Sequence, residues 1–550
     1  MTNAVERISP SELALRLHDG EELAVLDARE QGVYFHSHLF RASCVPLSNL
    51  ELLLDNLVPR RDTRVIWCDD GSTGSDGGGL ADRAAERANA LGWTNGAVLD
   101  GGTLAWQAWG GALYAGVNVP SKAFGEYVEH TFDTPRLSAP QLKEMLDVGT
   151  DIVVLDSRPI NEFRRMSIPS GIDCPGAELV HRVKDIVRSP DTLVVVNCAG
   201  RTRSIIGAQS LINAGLENRV VALENGTMGW HLAGFEVDTN CDRAAPDPSP
   251  ESRTWSEHAA AKVGDRFGVL SVPWNTIERW RLDGSRTTYL LDVRTPQEFE
   301  AGHVPGSQNA PGGQLVQATD EYVATMHARL VLIDDTSVRA TMTASWLRQL
   351  GWDDAVVLAG GVNGTGLTLA SGPAPRSEFA HEAVGPVAML EASELAALID
   401  GGSDAGVVAI LDLGDSLKYR RRGHLPGAWW GVRSRLDEAR TAIGDVDQLV
   451  LTSADGQLAK LAAGEAQGRW PGARVVVLAG GNKAWRHSKR PMEIGFTRPT
   501  TQADDVWYKP YDHDDEAPEQ HMREYLTWEI ALVEQLHCDP LVQFPAFPPR

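Results

Sequence analysis

Cysteine is scarce in this chain. Six occur in 550 residues (Cys44, Cys68, Cys174, Cys198, Cys241 and Cys538), scattered and with no Cys-x-x-Cys pair. That pattern fits reduced thiols better than a disulfide framework. Positive charge is also short: 51 Lys and Arg stand against 74 Asp and Glu, a net charge of −23. Nucleic acid is therefore a poor general partner. No window holds an unbroken apolar run long enough to span a bilayer. The first residues, Met1 to Arg7, lack the basic and apolar regions of a signal peptide. These absences lead us to expect a cytoplasmic protein with no membrane partner. What remains is ordinary globular composition, 43% hydrophobic and 23% charged, in a chain long enough for roughly three to five domains.

One unit recurs four times. An apolar strand ending in Leu-Asp occurs at Leu26-Asp27-Ala28-Arg29, Leu155-Asp156-Ser157-Arg158, Leu291-Asp292-Val293-Arg294 and Leu411-Asp412-Leu413-Gly414. A turn follows, written Gly302-His303-Val304-Pro305-Gly306 and Gly423-His424-Leu425-Pro426-Gly427 in the later copies. Next comes a buried strand leading into a loop and helix, starting at Val65, Val194, Leu330 and Leu449. Each copy closes on a strand and tight turn ending in Gly102, Gly226, Gly361 or Gly481; Trp106, Trp230 and Trp485 follow in three of them. Short apolar strands alternating with amphipathic helices predict α/β units, each a mostly parallel sheet flanked by helices. Functional loops in such sheets lie at the carboxyl ends of strands. Joints are expected near Val119–Lys122, Cys241–Arg253 and Gly372–Pro375.

The segment Val194 to Ser204 carries the strongest chemical signal. A β-branched run ends at Cys198, the loop Ala199-Gly200-Arg201-Thr202-Arg203-Ser204 follows, and a helical pattern begins. A cysteine on such a turn faces backbone N–H groups and the positive end of a helix dipole, which favour thiolate. Two arginines add charge that can hold an anion beside the sulfur.

Leu-Asp-x-Arg, Gly-His-x-Pro-Gly, a Cys-loop-helix and Leu-x-Gly-Gly-x-x-x-Trp, in that order, resemble the rhodanese sulfurtransferase family over about residues 1–495. The resemblance implies four tandem rhodanese-like domains, at 1–118, 130–240, 262–375 and 386–496, followed by an acidic tail with one helix at 497–550. It also implies thiosulfate as sulfur donor, a persulfide on Cys198, a thiol or cyanide acceptor, and neither metal nor cofactor. Arg203 matches the family's loop arginine and is expected to bind the sulfonate, with Arg201 as a second contact. The N–H groups of Ala199 to Ser204 would stabilise the persulfide. Arg158 and Glu162 match positions that brace the loop; Lys122, in the linker entering the second domain, could lean over the mouth but reads first as a solvated linker lysine.

Alignment of the copies from their helix ends places Asp334 and Ser453 at the position of Cys198, so the third and fourth copies are expected to be inactive. In the first copy Cys68 ends the strand, but the loop after it, Asp69 to Gly79, is acidic and has no basic residue. Acids raise a thiol's pKa and repel thiosulfate, so Cys68 reads as a half-buried strand cysteine. His303 and His424 read as structural, and His513, His521, His537 and Cys538 lack metal-site spacing. Three alternatives stay open: a persulfide relay, a scaffold for a protein partner, and 3-mercaptopyruvate as donor. A phosphatase is disfavoured, because Arg203 completes Cys-x4-Arg and not the longer Cys-x5-Arg.

Overall fold

The computed structural model describes residues 5–72, 78–373, 385–400, 406–513 and 517–547. Thr73–Gly77 of the first loop, Ala374–Pro375 of the third expected joint and Asp514–Glu516 of the acidic tail lie outside them.

Four sheets form, one for each repeat. In the second, the strand order is Arg136–Leu137, Val220–Leu223, Leu193–Asn197, Ile152–Asp156, Ile172–Asp173, all parallel. The third and fourth repeat this order strand for strand. The first repeats it too, and gains one antiparallel strand, Thr325–Met326, lent by the third unit. The central strands are short β-branched runs buried on both faces, as parallel strands under helices must be. The expected fold class is borne out.

The repeated Leu-Asp-x-Arg is a clamp. In the first three units the aspartate ends a strand and takes the guanidinium of the arginine two residues on, with Asp156 Oδ2 2.7 Å from Arg158 Nη2. The same guanidinium donates to the carbonyl of Ser37, Met166 or Gly302, fixing the next turn. His303 and His424 stack on Phe299 and Tyr419 at 3.8 and 3.6 Å within those turns, which are structural as read.

One expected joint opens a helix: Val119–Phe132 is capped at Asn118 and has Pro120 in its first turn. The joint Cys241–Arg253 is irregular chain as far as Ser249, the cap of the helix Pro250–Phe267. Proline marks a helix start here and not a linker, because the first turn needs no N–H from it. The Val119–Phe132 helix runs through the division placed between residues 118 and 130.

The units are not beads on a string. One continuous apolar core joins the second and third, from Leu155, Val196 and Leu211 to Leu291, Leu332 and Trp346. The first and fourth are tied by Arg433, whose guanidinium meets Glu51 at 2.8 Å. The tail helix Pro518–Cys538 lies along Val119–Phe132 and buries Met522, Leu526, Glu529 and Leu532.

Candidate active site

Register fixes which residue of each repeat stands at the candidate nucleophile position. Asp156 pairs with Asn197, and Cys198 comes next. The same pairing joins Asp292 to Ile333 and Asp412 to Thr452, so Asp334 and Ser453 are the counterparts of Cys198, as the sequence suggests. In the first unit, however, Asp27 pairs with Cys68 itself. The counterpart of Cys198 is therefore Asp69, and Cys68 matches Asn197. A second observation agrees: the carbonyls of Asp69, Cys198, Asp334 and Ser453 each accept the N–H one residue beyond the closing glycine, at 2.8–2.9 Å. Cys68 is also fully buried, not half-buried, and burial pushes its thiol well up, with Asp27 adding to the effect.

The closing glycines explain themselves at this point. Gly226 has φ +55°, and a Cβ there would lie 2.5 Å from the Cys198 carbonyl oxygen. Gly102, Gly361 and Gly481 press equally close on their own loops. Only glycine permits that approach at that backbone angle.

In each unit the residue at this position faces N–H groups of the loop and following helix. Asp69 accepts from Gly71 and Ala81 at 2.8 and 2.9 Å; Asp334 accepts from Ser337 and Ala340 at 2.7 and 3.2 Å. These carboxylates fill the anion cradle from within. In the fourth unit Ser453 takes the N–H of Ala459 at 3.4 Å. Cys198 leaves the cradle open. The N–H groups of Gly200, Arg201, Thr202 and Arg203 meet no acceptor among the described residues, while the Ser204 N–H and hydroxyl return to the Arg201 carbonyl at 3.1 and 2.7 Å.

Thiolate formation at Cys198 is opposed as well as assisted. Burial, with 2% of the residue exposed, pushes its thiol up. The Arg203 charge and the Ser204 hydroxyl and N–H pull it down, and the Glu529 carboxylate adds to the upward push. Burial outweighs the loop, and the thiol is held above its ordinary value.

The two arginines are already engaged. Arg201 is gripped by both Glu126 oxygens at 2.6 and 2.7 Å and by Glu129, one turn on along the Val119–Phe132 helix. Its Nη1 has a long contact to Asn225 at 3.5 Å, so the buried guanidinium is committed first to these carboxylates and tethers the loop to this helix, in place of the expected substrate contact. Arg203 reaches Glu162 at 2.8 and 3.2 Å and Gln314 of the third unit at 3.0 Å. Glu162 pairs with Arg203 of the loop, while Arg158 serves Asp156. The pair recurs as Arg339–Glu298 in the third unit, where no sulfur stands, so its first task is structural. Arg203 Nε has no partner among the described residues and keeps one donor for an anion.

Lys122 is buried on the Val119–Phe132 helix, 3% exposed, and not a solvated linker lysine. Its ammonium lies 5.7 Å from the Tyr525 ring centroid and makes no hydrogen bond among the described residues.

The sequence reading missed the tail's contribution. Tyr525 and Glu529, one turn apart, cover the cysteine loop: a Cβ on Gly200 would stand 3.1 Å from Glu529 Oε2 and 3.4 Å from Tyr525 Cε1. Glu529 Oε1 accepts the Thr202 hydroxyl at 2.6 Å. A glutamate on the apolar stripe Met522, Leu526, Leu532 was the available signal.

Comparison with known proteins agrees with this architecture. The rhodanese-like domain family matches residues 9–108, 138–233 and 277–366. A solved structure of a thiosulfate sulfurtransferase from Pseudomonas aeruginosa is 41% identical, covering 99% of this chain and 100% of that one with a TM-score of 0.91. The Bacillus subtilis protein YqhL, itself uncharacterized, is 38% identical over 78 residues. That match takes in 14% of this chain and 60% of the relative's length. By its repeated strand order, its clamp and turn motifs and these matches, the chain belongs to the rhodanese-like domain family.

Proposed function

We propose that the protein is a thiosulfate sulfurtransferase working through the second unit alone. The observation that carries this reading is the register: of the four equivalent positions, held by Asp69, Cys198, Asp334 and Ser453, one has sulfur, and its cradle of N–H groups is left open. The full-length likeness to the Pseudomonas aeruginosa thiosulfate sulfurtransferase supports the donor. The first, third and fourth units serve as walls and supports.

Thiosulfate enters beside Lys122 and the free Nε of Arg203, which offset its charge. The Cys198 thiolate attacks the outer sulfur, the S–S bond of thiosulfate breaks, and its electron pair leaves on sulfite. The outer sulfur stays on Cys198 as a persulfide, its charge met by the loop N–H groups from Gly200 to Arg203 and by Ser204. Cyanide or a thiol then attacks that sulfur, and the electron pair of the breaking bond returns to Cys198 Sγ. The position of Cys68, buried and one residue out of register, speaks against a two-cysteine relay.

Mass spectrometry after thiosulfate treatment tests the reading. One sulfur gained on Cys198 and removed by cyanide is expected, with no thiocyanate formed by Cys198→Ala. Undiminished thiocyanate production by that variant would overturn it.

A further inference from the structure

Glu529 has a feature the scheme above leaves unused. It is 1% exposed; its Oε1 is pinned by the Thr202 hydroxyl at 2.6 Å, and its Oε2 is buried with no partner among the described residues. That second oxygen lies over Gly200, in the loop that carries Cys198. A buried carboxylate oxygen without a donor costs free energy, and a structure retains one where a ligand supplies the missing hydrogen. Thiosulfate and cyanide anion bring no hydrogen to give. A thiol does.

We propose that Glu529 is the general base that receives the S–H proton of the acceptor thiol in the second half-reaction. The inference rests on the Cys198 persulfide reading and assigns its acceptor class: a small protonated thiol. The step balances as follows. Glu529 Oε2 takes the proton from R–SH, and the resulting thiolate attacks the outer sulfur of the Cys198 persulfide. The bond between that sulfur and Cys198 Sγ breaks, its electron pair staying on Sγ. The persulfide anion R–S–S⁻ leaves, and Glu529 returns its proton to solvent. No oxidant or reductant is consumed.

The surroundings suit the role. The charged and titratable groups facing Glu529 are Lys122 and Glu126 of the Val119–Phe132 helix, Arg201 and Cys198 of the loop, and Tyr525 of its own helix. Arg201 is spent on Glu126 and Glu129, which leaves the Lys122 ammonium as the cation across the mouth. The Thr202 hydrogen bond fixes the carboxylate's rotation, so Oε2 stays over Gly200 with little ordering left to be done. Tyr525, one turn earlier, closes the side of the mouth.

The test uses the full chain and Glu529→Gln, which keeps an acceptor for Thr202 and has nearly the same shape. Cys198 is loaded with thiosulfate, or with inorganic polysulfide where thiosulfate fails, and discharged in single turnovers by 2-mercaptoethanol or by cyanide. The ratio of thiol to cyanide discharge rates should fall on the order of a hundredfold in the variant. Below the thiol's own pKa, wild-type discharge should hold nearly level with pH, while the variant should lose about tenfold per pH unit, tracking the thiolate fraction. Glu529→Asp should restore part of the ratio. An unchanged ratio, a parallel loss with both acceptors, or identical pH profiles would overturn the proposal. Loading by polysulfide but not by thiosulfate would overturn the donor while leaving Glu529 testable; loading by neither would sink both.

Discussion

Arg203 holds Glu162 with two guanidinium nitrogens, at 2.8 and 3.2 Å, directly behind the Cys198 loop. Half of the positive charge that faces the site is therefore shared with a carboxylate. Glu162→Gln keeps one of the two hydrogen bonds and removes the negative charge, so KM for thiosulfate should fall several-fold while kcat changes less. Steady-state kinetics against thiosulfate check this; an unaltered KM would show that the guanidinium plays no part in donor binding.

The same pair has a pH signature. Burial raises the Glu162 carboxyl, but the Arg203 charge and hydrogen bonds outweigh it and hold the group at about 2, below its ordinary 4.5. A depressed folded pKa means that the pair's stabilisation is complete above 4.5 and is lost as pH falls toward 2. Urea unfolding at pH 7 and pH 3 should therefore show a steeper loss for the wild type than for Glu162→Gln. Equal losses would dismiss the pair as a stabilising element.

Asp173 gives the opposite sign. Burial first, and then the nearby Asp156 charge, lift its carboxyl to about 7, and its Oδ1 has no partner among the described residues. A raised folded pKa contributes stability that is full below 3.8 and is lost as pH rises through 7. Asp173→Asn should raise Tm relative to the wild type more at pH 8 than at pH 5. Thermal melts at the two pH values check the difference, and a gain independent of pH would refute it.

Gly226 and Gly215 make a matched pair. Both have positive φ, +55° and +76°, but a Cβ on Gly226 meets the Cys198 carbonyl at 2.5 Å, whereas one on Gly215 meets nothing within 4 Å. Gly215→Ala should cost about 1 kcal/mol of backbone strain and leave sulfur transfer intact. Gly226→Ala should cost about 1–3 kcal/mol from strain at its backbone angle, with the carbonyl clash adding to it, and should reduce persulfide formation by displacing the loop. Denaturant melts with single-turnover loading separate the two effects.

Lys122→Met keeps the stem that packs against the Val119–Phe132 helix and removes the ammonium. Loss of a buried charge contact to the donor should raise KM for thiosulfate about tenfold. An unchanged KM would return Lys122 to a packing role.

Much of the architecture was legible because the repeats carry their physics in short motifs. The strand-end aspartates, the turn histidines and the closing glycines each have one local task, and each occupies its expected place. Cys198 was legible for the same reason. The misreadings share a different cause. Cys68 ends its strand as read, but that Asp69 is the match to Cys198 was hidden, because an apolar run ending in cysteine does not mark its own last ladder pair; that needs the partner strand. Arg201 was read as a donor contact because its partners, Glu126 and Glu129, lie on a helix whose first turn, with its proline, read as a joint. Glu529 and Tyr525 come from more than three hundred positions away; the glutamate on the tail's apolar stripe was visible, but nothing local tied it to this loop.

The strand Thr325–Met326, which leaves the third unit to complete the first unit's sheet, explains why a repeat without a nucleophile endures. Together with the apolar seam that fuses the second and third units, it makes the silent repeat a keystone. Excising it would strip two neighbours at once, so the chain should melt in a single step instead of unit by unit.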